Sequence, residues 1–312
     1  MIMPYYSIVE IYNNNGIFEF NLEKDNKSNS NNVFSKELTL VDQNILISIE
    51  QNKKIPEICV ALRNKTLSPL FYLIERFYQC NESTELLLKD DIPRFNKAYK
   101  QLSEKINVYK DRSIKNDEFI ETIKVPFSMS NIDNGFYRTH MYLEFFYTKA
   151  AEFTFTLSNN ESQKNIFNAI KLYDFSGVSR FVIMITVFSI FSAGHNAFFY
   201  KFLFPKSKNN SSPQDKAKNS FGDIRYLLLL AYLTIQMECQ KNLCFKFVTG
   251  DENLSKIINA LKFKVKNIHG LFEYKIESLD IKKNLDNKLL NKNDNTYSAV
   301  LNFFNELGIT VS

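Results

Sequence analysis

The chain contains few of the residue types on which several common kinds of functional site depend. Its 312 residues include eight glycines, three histidines and four cysteines. With so little glycine, no Gly-rich phosphate-binding loop is found. The histidines are widely separated and lack the spacing of metal ligands. Because the cysteines form no Cys-x-x-Cys pair, we expect reduced thiols rather than a zinc site or a disulfide framework.

Long hydrophobic runs and a secretion signal are also missing from the sequence. The most apolar segment, Phe181 to Gly194, is shorter than the roughly 20 residues that a membrane-spanning helix requires. We expect it to be a core helix. Met1 to Glu10 has neither a basic start nor a long apolar stretch. The sequence therefore predicts a cytoplasmic protein with no membrane partner.

The overall composition is that of a globular protein with a mild basic excess. Hydrophobic residues make up 45% of the chain, with 29 Phe and 16 Tyr, which is ample for a packed core. The formal net charge is +5. This charge is compatible with a phosphate-bearing partner but too small to establish one, since the lysine content fits a compositional bias equally well.

Two acidic residues follow short apolar runs that are typical of buried strands. Asp42 comes directly after Leu38 to Val41. Asp251 follows Cys244 to Val248 and a Thr-Gly turn, where a helix is expected to begin. Since ligands of open α/β sheets bind outside the carboxyl ends of the strands, these two carboxylates can converge although they are far apart in sequence.

Two further acids are expected on helices. Ser68-Pro69 is a typical helix start, which places Glu75 about two turns into an apolar helix. Phe221-Gly222 precedes Asp223, which we expect in the first turn of a second helix. Four carboxylates around one crevice would suit Mg²⁺ or Mn²⁺. The alternative for each acid by itself is a helix cap or a solvated helix residue.

Four segments, in this order, resemble the motifs of PIN-domain ribonucleases. They are Leu40 to Leu46, Thr66 to Glu75, Gly222 to Leu227 and Phe247 to Leu254. The resemblance implies that Asp42, Glu75, Asp223 and Asp251 hold a divalent ion and form the catalytic site. It also implies that Asn44 and Asn253 orient those carboxylates. The separation of Glu75 from Asp223 exceeds what a compact PIN core uses, so the resemblance requires a large insertion.

The fold implied is α/β: a PIN-like three-layer α/β/α arrangement with a central, mainly parallel sheet. An N-terminal β-hairpin and a helical insertion are added to it. The expected divisions are the hairpin and a polar link (1–37), the PIN-like core (38–89 and 161–276), the insertion (90–160) and a C-terminal helical segment (277–312). We expect the insertion to be mainly helical, with no strand of the sheet inside it.

A lysine-rich segment, 206–218, has the composition of a flexible loop that leads towards Asp223. Such a loop could contact an RNA backbone, which is recognised largely through its phosphates; an ordinary solvated loop is the alternative. The residues assigned to this weak RNA contact are Lys206, Lys208, Lys216, Lys218 and Arg225.

The sequence thus favours a metal-dependent endoribonuclease that hydrolyses single-stranded or exposed RNA. One alternative is a PIN-like module that binds RNA or protein with little catalysis, for example within a defence or RNA-processing assembly. Another is an unrelated α/β protein. An inhibitory or assembly partner, a homo-oligomer and the identity of the RNA target are left open by the sequence.

Overall fold

The computed structural model describes residues 6–24, 36–79, 86–111, 135–192, 197–205, 211–225, 243–261, 264–268, 271–276 and 295–311. The chain divides into two compact units. We call Ile2–Met129 with Tyr226–Ser255 the sheet unit, and Ser130–Arg225 with Lys256–Ser312 the aromatic unit.

Strands and helices alternate along much of the described chain. The strands are β1 (Tyr6–Asn14), β2 (Ile17–Lys24), β3 (Lys36–Val41), β4 (Thr66–Ser68), β5 (Tyr109–Lys110), β6 (Leu243–Thr249), β7 (Lys264–Ile268), β8 (Leu271–Ile276) and β9 (Thr310–Val311). The helices are α1 (Gln43–Glu50), α2 (Ile55–Leu62), α3 (Leu70–Gln79), α4 (Ile92–Ser103), α5 (Gly135–Glu152), α6 (Asn160–Lys171), α7 (Arg180–Phe191), α8 (Phe198–Leu203), α9 (213–225), α10 (Glu252–Leu261) and α11 (Thr296–Glu306). A π-helical turn, Leu87–Asp91, precedes α4.

The sheet unit contains strands in the order β5-β4-β3-β6-β2-β1. Neighbours from β5 to β6 are parallel. The β6–β2 and β2–β1 pairs are antiparallel. This arrangement confirms the expected α/β class with a mainly parallel sheet.

The N-terminal hairpin forms as expected, but it is not a separate piece of the chain. Asn15 and Gly16 at its tip have φ angles of 46° and 77°, the left-handed values that a tight two-residue hairpin turn requires. Phe18 pairs with Thr249 and Phe20 with Phe247, so β2 extends the sheet beside β6. The hairpin is therefore part of the same sheet as β6, and the expected division at residue 37 stays a prediction.

The expected insertion, 90–160, is wrong in two respects. It contains β5, which pairs in parallel with β4 through Thr66 and Tyr109 and so adds a strand to the sheet. Its first part, including α4, also belongs to the sheet unit, whereas α5 belongs to the aromatic unit. The observed division thus differs from the expected core of 38–89 and 161–276. In 277–312 the described elements are α11 and β9; residues 277–294 lie outside the described part.

The core of the sheet unit is formed by β3, β6 and α3. Leu40 of β3, Phe247 of β6 and Phe71 of α3 are completely buried. The Phe71 and Phe247 rings pack 5.3 Å apart between centroids. Each such side chain contributes about 2 to 3 kcal/mol through burial. This packing holds α3 against the sheet.

The aromatic unit contains the long apolar segment noted in the sequence. Every residue of α7 from Phe181 to Phe191 is buried, which confirms a core helix. The hydroxyls of Tyr142 and Thr186 lie 2.6 Å apart, so this buried polar pair is satisfied internally. Across the described ranges, no helix is both long and apolar enough to cross a bilayer.

Candidate carboxylate site at the sheet edge

Asp42 lies where β3 ends and α1 begins, as the sequence predicts. Its carboxylate Oδ1 accepts a hydrogen bond of 2.9 Å from the backbone N–H of Ile45, which makes it the N-cap of α1. Only 2% of Asp42 is exposed. Asp42 therefore caps the helix and is also buried. Capping a helix does not by itself require a buried carboxylate.

Thr249 connects Asp42 to the end of β6. Its hydroxyl donates to Asp42 Oδ2 at 2.5 Å and accepts from the backbone N–H of Asp251 at 2.9 Å. Asp251 in turn caps α10: its Oδ1 accepts from the N–H groups of Asn253 at 2.8 Å and Leu254 at 3.0 Å. A continuous hydrogen-bonded path thus links the two acidic strand ends.

Glu75 reaches the same region from α3. Its Oε2 accepts a 3.2 Å hydrogen bond from the backbone N–H of Gln43, the residue after Asp42. Glu75 is 7% exposed, in line with the apolar setting seen in the sequence. Pro69 starts the helix, since its carbonyl accepts from the N–H of Leu73.

The three acids belong to three neighbouring parallel strands. Asp42 follows β3, Asp251 follows β6, and Glu75 lies on the helix after β4; β3 pairs with both other strands. From β3 the chain proceeds outwards through β4 to β5, whereas β6 lies on the other side of β3. The order therefore reverses between β3 and β6, the position at which open α/β sheets bind ligands. We call Asp42, Glu75 and Asp251 the carboxylate site.

Burial and like charge dominate the electrostatics of this site. Burial raises the pKa of Asp42 to about 7, and the charges of Glu75 and Asp251 raise it as well, while the hydrogen bonds from Thr249 and Ile45 act in the opposite direction. The pKa of Asp251 is also raised, first by burial and then by Glu252, against the two backbone N–H donors. The site therefore favours the binding of a positive charge, whether a proton or a cation.

Asp223 belongs to the aromatic unit. The helix that carries it begins at residue 213, so Asp223 lies in its third turn and the expected helix start at 221–224 is wrong. Ser212 caps this helix by accepting from the N–H of Asp215. Asp223 is half-buried near Tyr147, whose pKa is raised first by burial and also by the Asp223 charge. The gathering of all four acids stays a prediction.

The remaining predicted residues are those expected to orient the carboxylates or to contact RNA, and the structure supports only some of these expectations. Asn253 serves Asp251 through its backbone N–H and not through its amide side chain. Asn44 is exposed near the start of α1. Residues 213–218 are helical, so the predicted loop is wrong for Lys216 and Lys218, which lie on α9 with Arg225. Lys206 and Lys208 fall outside the described residues.

The donor chemistry of the carboxylate site fits a hard divalent ion, whereas a closed cage of protein ligands is not formed. Within the described part of the chain, no group of three His, Cys, Asp or Glu side chains is arranged to hold a metal ion. Mg²⁺ commonly takes only one or two carboxylates and completes its shell with water and substrate phosphates. The oxygen donors of these three acids match the chemistry of such an open site, and their joint coordination of an ion stays a prediction.

Sequence reasoning missed the part played by Thr249. Thr249 stands two residues before an acidic residue at a strand end, which is the local signal for its bond to the Asp251 N–H. Its contact with Asp42 spans 207 residues and has no local signal.

Comparisons of the chain with protein-family models, curated proteins and solved structures find no match.

Proposed function

We propose that the chain is a divalent-metal-dependent endoribonuclease of PIN-like type that hydrolyses single-stranded or exposed RNA. The observation that carries this proposal is the position of three buried or half-buried carboxylates at the switch point of a parallel sheet. Like-charged acids in such a place oppose folding unless a cation compensates them. The resemblance of the four acidic segments to PIN ribonucleases supports the same chemistry.

Asp42, Glu75 and Asp251 would hold the ion, with Asp223 as the fourth acid implied by the resemblance. The ion would lower the pKa of a bound water and stabilise charge on the phosphate. Thr249 keeps Asp42 oriented by donating to Oδ2, and the Ile45 N–H fixes Oδ1. Because the pKa of Asp42 is raised to about 7, binding of a cation near neutral pH would displace a proton from this carboxyl.

The test is cleavage of an unstructured RNA by purified protein in Mg²⁺ or Mn²⁺. We expect Asp42→Asn to lower the rate by roughly 100-fold or more, since metal ions supply several kcal/mol of transition-state stabilisation. Asp90→Asn is the matched control, because it makes the same chemical change at an exposed acid and should leave the rate unchanged. Equal cleavage by wild type and Asp42→Asn would refute the proposal.

The second candidate is a PIN-like module that binds RNA or a protein partner with little catalysis. It is favoured by the finding that, in the described ranges, no three Asp, Glu, His or Cys side chains are placed so that they could hold a metal ion. Wild-type protein that binds RNA but cuts neither RNA nor DNA, with metal supplied and co-purifying proteins removed, would support this candidate. A free thiol at Cys59 fits an intracellular setting for either function.

A further inference from the structure

The tip of the N-terminal hairpin lies beside the carboxylate site. Since β2 runs antiparallel to β6, with Phe18 opposite Thr249, the tip residues Asn15 and Gly16 are brought to the edge where β6 ends. A Cβ built on Gly250 would lie 3.9 Å from the Gly16 carbonyl oxygen and 3.9 Å from Asn44 Cβ. The tip therefore borders the residue that precedes Asp251.

Two contacts with the start of α2 hold the tip in this position. Lys54 Nζ donates to the Gly16 carbonyl at 3.2 Å. Asn15 Nδ2 donates to Glu57 Oε1 at 3.1 Å. A Cβ on Gly16 would approach Lys54 Nζ to 2.6 Å, so the lysine side chain lies directly over the glycine. The ammonium group of Lys54 is thereby placed along the same rim as Gly250 and Asn44.

Lys54 has a backbone conformation that glycine or asparagine usually adopts. Its φ angle is 51° and its ψ angle 27°, the left-handed conformation, which is unfavourable for a residue with a Cβ and favours Gly or Asn. Such strained positions are enriched at ligand-binding sites. The ammonium has three donors; Gly16 accepts from one of them, and the residue is exposed.

We propose that Lys54, held at the hairpin tip, contacts a backbone phosphate of single-stranded RNA and positions the strand against the carboxylate site. This inference rests on the proposed function for the identity of the substrate. The three carboxylates repel an RNA strand, and a cation fixed at their rim offsets that repulsion where the strand enters. Gly250, which lacks a side chain, adds no bulk to the rim beside Lys54. Lys54 is therefore a positioning residue and not a catalytic one.

The experiment measures binding of a short unstructured RNA to the full chain, in Ca²⁺ or chelator to prevent turnover, as a function of salt. Lys54→Asn removes the charge but retains a residue that tolerates the left-handed conformation, so its melting temperature should equal or exceed that of the wild type. We expect about five-fold weaker binding at about 0.1 M salt, and a salt slope shallower by about 0.7, the loss of one phosphate contact. Lys54→Arg should restore both.

Lys100→Ala is the matched control, because it removes one positive charge from an exposed position on α4. Its affinity and salt slope should stay at the wild-type values. In Mn²⁺, Lys54→Asn should raise KM for RNA cleavage while kcat is retained.

Failure of this inference is distinguishable from failure of the proposed function. If wild type binds RNA without cutting it, the proposed nuclease activity is refuted. The salt slope of Lys54→Asn then still tests whether Lys54 contacts a phosphate. An unchanged affinity and slope in Lys54→Asn, or wild type that binds no RNA, would overturn the Lys54 proposal.

Discussion

The sheet unit buries acidic side chains in two places and compensates them differently. At the carboxylate site, Asp42 faces Glu75 and Asp251, whose charges raise its pKa. At the second place, Asp91 of the π-helical turn accepts from Tyr72 at 2.7 Å and from Arg76 at 2.8 Å. We call the second group, Tyr72, Arg76 and Asp91, the arginine clasp.

The two groups differ in how the charge of the buried acid is compensated. Asp91 is 2% exposed and paired with a guanidinium, so its charge is matched within the fold. Asp42 is equally buried, yet its acidic neighbours add charge of the same sign. A buried acid paired with an arginine has its charge compensated, so that removal of either partner is destabilising. A buried acid beside other acids weakens the fold unless a ligand compensates its charge. The clasp also helps to hold α3, which carries Glu75.

The largest expected effect is on the pH dependence of stability. The pKa of Asp42 is raised from 3.8 to about 7 in the folded chain, so the folded state binds this proton more tightly than the unfolded state. Its contribution to stability is therefore fully present below the unfolded pKa and is lost as the pH rises to about 7. At about 1.4 kcal/mol per pH unit, the loss is of the order of 4 kcal/mol.

Denaturant unfolding across this pH range, in chelator, checks the prediction. The free energy of unfolding of wild type minus that of Asp42→Asn should fall with rising pH. At neutral pH the variant should be at least as stable as wild type. If the free energies of unfolding of the two proteins change equally with pH, the carboxylate site does not destabilise the metal-free protein.

The next effect concerns the clasp. Asp91→Ala leaves the Arg76 guanidinium and the Tyr72 hydroxyl without their shared acceptor, and should lower the free energy of unfolding by about 3 kcal/mol. Asp90→Ala is the control, because Asp90 is the exposed neighbour and its loss should change stability by less than about 0.5 kcal/mol. If both variants unfold alike, the proposed contrast between clasp and carboxylate site fails.

The smallest effect is expected where the ion pair is partly exposed. Arg94 donates to both carboxylate oxygens of Glu50 at 2.6 Å, with 32% and 26% of the two side chains exposed. Solvent screening limits such a pair to about 0.5 to 1 kcal/mol. A double-mutant cycle with Arg94→Ala and Glu50→Ala measures the coupling energy of this pair. A coupling energy as large as the loss expected for Asp91→Ala would show that burial does not determine how much an ion pair contributes.

The sequence predicted the parts of this picture that depend on local patterns. The apolar run before Asp42 and the Ser68-Pro69 helix start each determine an element over a few residues. Both elements form, and the helix begins at Leu70, directly after Pro69. The start of α9 was missed although Ser212-Pro213 carries a helix-start signal that includes Asp215 at the third helical position. The lysine content of 206–218 favours a loop, but the Ser212 cap starts a helix within that segment.

Other features could not be predicted because they depend on contacts between distant segments. The pairing of β2 with β6 brings Gly16 beside Gly250, and β5 is a two-residue strand whose place is set by β4. The link from Thr249 to Asp42 likewise exists only once β3 and β6 are paired. Each of these contacts joins segments whose local patterns carry no information about one another.

The most direct test of the central claim is the effect of Mn²⁺ on thermal unfolding, at a pH above the Asp42 pKa. A ligand that binds only the folded state stabilises it by about 2.7 kcal/mol at 100 times its Kd. We predict that Mn²⁺ raises the melting temperature of wild type and of Asp90→Asn, and has little effect on Asp42→Asn. An equal rise in all three proteins, or no rise in wild type, would contradict the claim that the carboxylate site binds a divalent ion.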